Sequence, residues 1–66
     1  MDKIEFITMV NTIANIMEVR STDVKIKNIK TKWGECTSDG IILFNSNLLD
    51  KNINNIRQVI IQNLRV

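Results

Sequence analysis

The sequence predicts an α+β fold: a helix, a β-hairpin that can take up a third short strand, and a second helix. Three observations predict it. Apolar residues recur at helical spacing over residues 2–18, and again at Ile53, Ile56, Ile60 and Leu64. Between these stretches, segments of period-two or wholly apolar character flank a turn signal at Thr37-Ser38-Asp39-Gly40.

The first helix opens on Asp2, with Glu5 three residues later, a pairing that resembles a capping box. Phe6, Ile7, Val10, Ile13, Ala14 and Met17 then mark one face, widened by Met9 and Ile16, while Asn11, Asn15 and Glu18 fall opposite. Ser21-Thr22-Asp23 breaks the pattern. Val24 and Ile26 alternate with Lys25 and Lys27, the signature of a half-buried strand. Asp39-Gly40 readily supplies the positive φ of a tight turn, and Ile41–Phe44 follows as a strand apolar on both faces. A third strand would come from residues 29–32 or from a neighbouring chain. Asp50 is the expected N-cap of the last helix, with Leu48 or Leu49 as a hydrophobic staple. That helix is expected to run to the end of the chain without a C-cap, as if the fold were cut short.

Sixty-six residues are expected to form one small domain, residues 1–66, with a marginal core. Domains of this size usually draw extra stability from disulfides, a metal or association. Cys36 is the only cysteine and histidine is absent, so neither an internal disulfide nor an ordinary structural zinc site can form. Association is the remaining route, with another protein or with a second copy; a two-fold homodimer is the simplest closed solution. A net charge of +2, from nine basic and seven acidic residues, is too balanced for an electrostatic footprint on nucleic acid. The longest apolar run, Ile41–Phe44, is far too short for a membrane span, and no cleavable signal pattern is visible. A lone cysteine without an export signal suggests a cytoplasmic protein. The richness in Ile, Asn and Lys points to an A/T-rich source genome.

The stretch Lys30-Thr31-Lys32-Trp33-Gly34-Glu35-Cys36-Thr37-Ser38 resembles the signature of the YgjP-like metallopeptidases, relatives of the SprT-type zinc proteases. That family has a K-x-R-W-G-S-C segment, a turn with Gly, a strand ending in Leu-Asn, and a helix carrying HExxH. Gly40, Ile42, Phe44 and Asn45 fall on the turn and strand positions, Phe44 replacing the usual Leu; Leu48, Val59 and Ile60 match later apolar positions. The resemblance implies a fold like the front half of a minimal zincin. Followed without a gap from Asn45, its register puts Gln62 at the first zinc-binding His, Asn63 at the catalytic Glu and Val66 at the second His, while Leu64 keeps the family's Leu. In such a helix, two His at i and i+4 hold Zn²⁺ and the Glu acts as general base on the bound water. Gln is a poor zinc ligand, Asn is no base near neutral pH, and Val has no donor atom. The expectation is a protein without peptidase activity, metal or cofactor.

Two binding readings follow. In the first, the chain is a protein-binding module whose last helix offers Ile53, Ile56, Ile60 and Leu64 to a partner or a second copy. One concrete form is a mobile-element or phage inhibitor of a host or defence enzyme, such as an anti-CRISPR. In the second, Lys25, Lys27, Lys30, Lys32 and Trp33 form a small nucleic-acid face. A functionless remnant of a YgjP-like peptidase is a further alternative. Trp33 is expected mainly to pack the hairpin against a helix, Cys36 to lie in the core, and the lysines to protect a strand edge. Asn52, Asn54, Asn55 and Arg57 read as a solvated helix face.

Overall fold

The structure is a computed structural model, and it describes residues 1–20 and 23–65. Helix α1 spans Lys3–Ile16; strands β1, β2 and β3 span Asp23–Lys27, Gly34–Cys36 and Ile41–Asn45; a 3₁₀ turn covers Ser46–Asp50; helix α2 spans Ile53–Leu64. The α+β arrangement of helix, strands and helix read from the sequence is present.

Both ends of α1 have a local cause. The Asp2 carboxylate accepts a hydrogen bond from the Glu5 N–H at 2.8 Å, satisfying one of the donors a helix start leaves open. At the other end Glu18 adopts a left-handed conformation with φ 57°. The Val19 N–H then reaches the Ala14 carbonyl at 2.9 Å and the Glu18 N–H reaches Asn15 at 3.2 Å. These are the two bonds of a Schellman motif, made here without glycine. Phe6, Val10 and Ala14 are buried; Ile16, assigned to the same stripe, is 75% exposed.

The sheet order is β1-β3-β2, and it corrects the expected strand pairing. The antiparallel hairpin joins β2 to β3, with Cys36 opposite Ile42. Its turn is closed by the Gly40 N–H on the Thr37 carbonyl at 3.1 Å, with Gly40 at φ 84°. The third strand is β1, which pairs with β3 in parallel, Val24 beside Ile42 and Ile26 beside Phe44. Residues 29–32 form a loop rather than a strand. Alternation in residues 24–27 reveals a buried face but carries no information about which strand lies alongside.

The start of α2 is also corrected. Asn52, not Asp50, is the N-cap, and its side-chain oxygen accepts from the Asn55 N–H at 2.9 Å. Leu48 is buried within the 3₁₀ turn. The helix ends at Leu64, where the Arg65 N–H bonds the Ile61 carbonyl, instead of continuing through the chain end. One core unites Phe6, Val10 and Ala14 of α1, Ile42 and Phe44 of β3, Leu48, and Ile56, Ile60 and Leu64 of α2. The Phe6 and Phe44 rings meet edge to face, 5.0 Å between centroids at 77°, an arrangement aromatic quadrupoles favour. No helix among the described residues is long and apolar enough to cross a membrane.

Candidate functional site

The last helix was expected to present Ile53, Ile56, Ile60 and Leu64 to a partner. The structure corrects this for three of them. Ile56, Ile60 and Leu64 are buried in the chain's own core, and only Ile53, 49% exposed, remains open. A small chain must spend the apolar face of each helix on its single core, so that face is covered by the sheet and α1.

Cys36 is likewise not a core residue. Its thiol is exposed and free, since it ends a three-residue edge strand with a neighbouring strand on one side only. Trp33 is 42% exposed rather than packed away as a brace. The Lys51 ammonium lies over its ring, 5.0 Å from the centroid, a cation–π contact that already covers one aromatic face. Lys32 pairs with Glu35 at 3.8 Å across an exposed surface, an interaction of little energetic weight. Lys25 and Lys27 stand exposed on the edge strand β1, and Lys30 and Lys32 line a groove with Trp33.

The loop over residues 28–33 is held by Asn45. This side chain is 7% exposed, and its Nδ2 donates to the carbonyls of Ile29 at 2.7 Å and Lys32 at 3.0 Å. Its oxygen accepts from the Asn47 N–H at 2.9 Å. A buried carboxamide with both donors and its oxygen engaged fixes the path of the chain between β1 and β2, and so the position of Trp33.

That position creates a cleft between Trp33 and α2. Leu48 and Val59 form its apolar floor, and Lys51, Asn55, Gln58 and Gln62 supply its polar walls. Asn55, Gln58 and Gln62 are spaced i, i+3, i+7, which sets three carboxamides along one stripe of the helix. Sequence reasoning placed Asn55 on a solvated face and missed Lys51 and Gln58; the spacing was the available signal. Asn63 does not open into this cleft. Its Nδ2 donates to the Val59 carbonyl at 2.9 Å, and its amide group lies 3.0–3.2 Å from where a Cβ on Gly34 would stand. Gly34 therefore lets β2 approach α2, with the Asn63 amide filling the space a side chain would take.

A YgjP-like metallopeptidase domain model matches residues 2–63 of the 66. The chain belongs to the YgjP-like metallopeptidase family. No curated protein and no solved structure gives a match. The match covers α1 as well as the W-G-x-C segment and α2, so the first helix is part of the YgjP-like domain and not an unrelated addition.

The zinc ion of such a domain does not fit the residues here. Gln62 offers a neutral carboxamide, exposed in the cleft it shares with the Lys51 ammonium. Asn63 is engaged with Val59 and packed against Gly34. Val66, at the second His position of the register, lies outside the described residues. Among the described residues no group of three or more His, Cys, Asp or Glu side chains could hold a metal ion. A carboxamide can neither take a proton from water near neutral pH nor match imidazole as a zinc ligand.

Proposed function

We propose that this YgjP-like chain is a non-catalytic protein-binding module, and that the cleft between Trp33 and α2 receives a segment of another protein without cleaving it. The observation that carries the reading is the state of Asn63. At the position where the family's motif has its general base, this side chain is a neutral amide committed to the Val59 carbonyl and to the space above Gly34. The neighbouring cleft remains open and is lined by groups that both donate and accept. Asn55, Gln58 and Gln62 match the alternating N–H and C=O groups of an extended backbone, and Trp33 supplies an aromatic wall. Exposed apolar side chains at Ile4, Ile16 and Ile53 support an interaction role, because such surface marks contact sites when it is contiguous.

An inhibitor of a host or defence enzyme is one action open to such a binder, and identifying its target decides that point. The nucleic-acid reading is the weaker one, since Lys51 already occupies a face of the Trp33 ring. The test has two arms. Purified protein is incubated with unstructured protein substrate and added zinc, and no cleavage is expected above a blank. Affinity capture then compares the native chain with Gln62→Arg, which fills the exposed mouth of the cleft. A stoichiometric protein captured by the native chain and lost with Q62R supports the reading; zinc-dependent cleavage, or capture unaffected by Q62R, would overturn it.

A further inference from the structure

We infer that the outer face of α1 is a self-association surface on which a second copy of this chain docks antiparallel about a two-fold axis. The inference goes beyond the cleft reading: it names a second copy as partner on a face separate from the cleft. Ile4 and Ile16 are 79% and 75% exposed, the two most exposed large apolar side chains among the described residues. Thr8 and Thr12 lie between them at the same spacing of four, so the four residues form a single i±4n ridge. The hydroxyls of both threonines are already used: Thr8 donates to the Ile4 carbonyl and Thr12 to the Thr8 carbonyl, each at 2.9 Å. Each internally bonded hydroxyl can be covered without losing its donor bond to water.

The ridge reads Ile-Thr-Thr-Ile in both directions. Laid antiparallel, it sets each Ile4 beside the other protomer's Ile16 and each Thr8 beside the other's Thr12. When such ridges interdigitate, their rows run side by side at the commonest helix crossing of globular proteins, about −50°. The central threonines are small enough to let the helices approach. The alternative, parallel pairing would stack Ile4 on Ile4 and abut like charges at the same end.

Charge selects the antiparallel form. Two hollows adjoin the ridge: Glu5 lines one with Ile4, Arg65 lines the other with Ile16, and Arg57 lines both. The two-fold operation that sets Ile4 against Ile16 carries each Glu5 to the end where the partner has Arg65. Two complementary pairs result, and both lie at the rim of the contact, where charges steer orientation more than they add affinity. A single helix face is smaller than the roughly 800 Å² per partner of a standard interface, so the association is weak and concentration-dependent.

Sedimentation of the full chain over rising concentration tests the inference. The expected mass rises from monomer towards twice the monomer, and Ile16→Glu abolishes the rise while leaving the far-ultraviolet circular dichroism unchanged, because the side chain is exposed. Register is tested in a Cys36→Ser background by mixing Ile4→Cys with Ile16→Cys chains under mild oxidation. A disulfide forming in the mixture at least tenfold faster than in Ile4→Cys alone is expected. A monomer at every concentration, an unaffected I16E dimer, or equal cross-linking of I4C alone would each overturn the inference. None of these results touches cleft binding, which the Q62R capture reads separately.

Discussion

Asn45 sits at the end of β3 and holds the loop that places Trp33, through two donated bonds and one accepted bond. Asn45→Asp preserves the shape but removes both donors, leaving two carbonyls unpaired beside a carboxylate. The expected cost is about 3 kcal/mol or more, read from urea unfolding at neutral pH. Gly34 and Asn63 make a second residue-scale pair. Gly34→Ala places a methyl 3.0–3.2 Å from the Asn63 amide, tighter than most real contacts, so the amide must give by a few tenths of an ångström and a loss of about 1 kcal/mol is expected. In a double-mutant cycle, Asn63→Ala should recover most of that loss; additive effects would show that the two side chains do not compete for the space. The sequence marked both residues by their motif positions, but it carried no sign of what either touches. Asn45 is read by its partners Ile29 and Lys32, carbonyls in a loop with no periodicity of its own. Cys36 shows the opposite failure: its type favours burial, and its place at the end of an edge strand exposes it.

At the scale of elements, α1 was legible because its signals agree. Asp2, Glu5 and the apolar spacing all specify the same helix. The start of α2 was less so, because Asp50 and Asn52 are both good caps and only the 3₁₀ turn over Ser46–Asp50 decides between them. Strand β1 was legible as a strand but not as a parallel partner of β3, which depends on where the chain returns after the loop. The caps of α1 yield two expectations. Glu18→Gly relieves a left-handed conformation unfavourable to a side chain, so about 0.5–1 kcal/mol of added stability is expected, seen as a higher Tm. The Glu5 N–H donates to the Asp2 carboxylate and holds its pKa below the ordinary value. A depressed pKa means that the stabilisation is fully present above the unfolded value and is lost as pH falls through the folded one. Asp2→Ala should therefore flatten the acid limb of a stability–pH curve, whereas Asp2→Asn keeps a capping oxygen and loses the pH dependence alone. An Asp2→Ala curve parallel to that of the native chain would contradict this assignment.

For the molecule as a whole, the same apolar face that sequence reading offered to a partner is the one the fold consumes. Ile56, Ile60 and Leu64 close the core with Phe6 and Phe44, and what is left for contact lies elsewhere: the carboxamide cleft on one side of α2 and the Ile4–Ile16 ridge of α1. The family was legible because its segment around Trp33 and its approach to α2 survive in register. The register followed from Asn45 sets Gln62 and Asn63 where the family's motif has His and Glu, and the proposed lack of peptidase activity rests on that register. Which surfaces remained free was not legible, because burial is a property of the folded whole. On the proposed reading α2 holds no metal ion. Zinc titrated into the purified chain, followed by calorimetry and by thermal melting, tests it most directly. We expect no stoichiometric binding and an unchanged Tm. One zinc per chain at micromolar affinity would instead add about 2.7 kcal/mol at a hundredfold excess over Kd, raising Tm by roughly 10 °C or more, and would contradict the account.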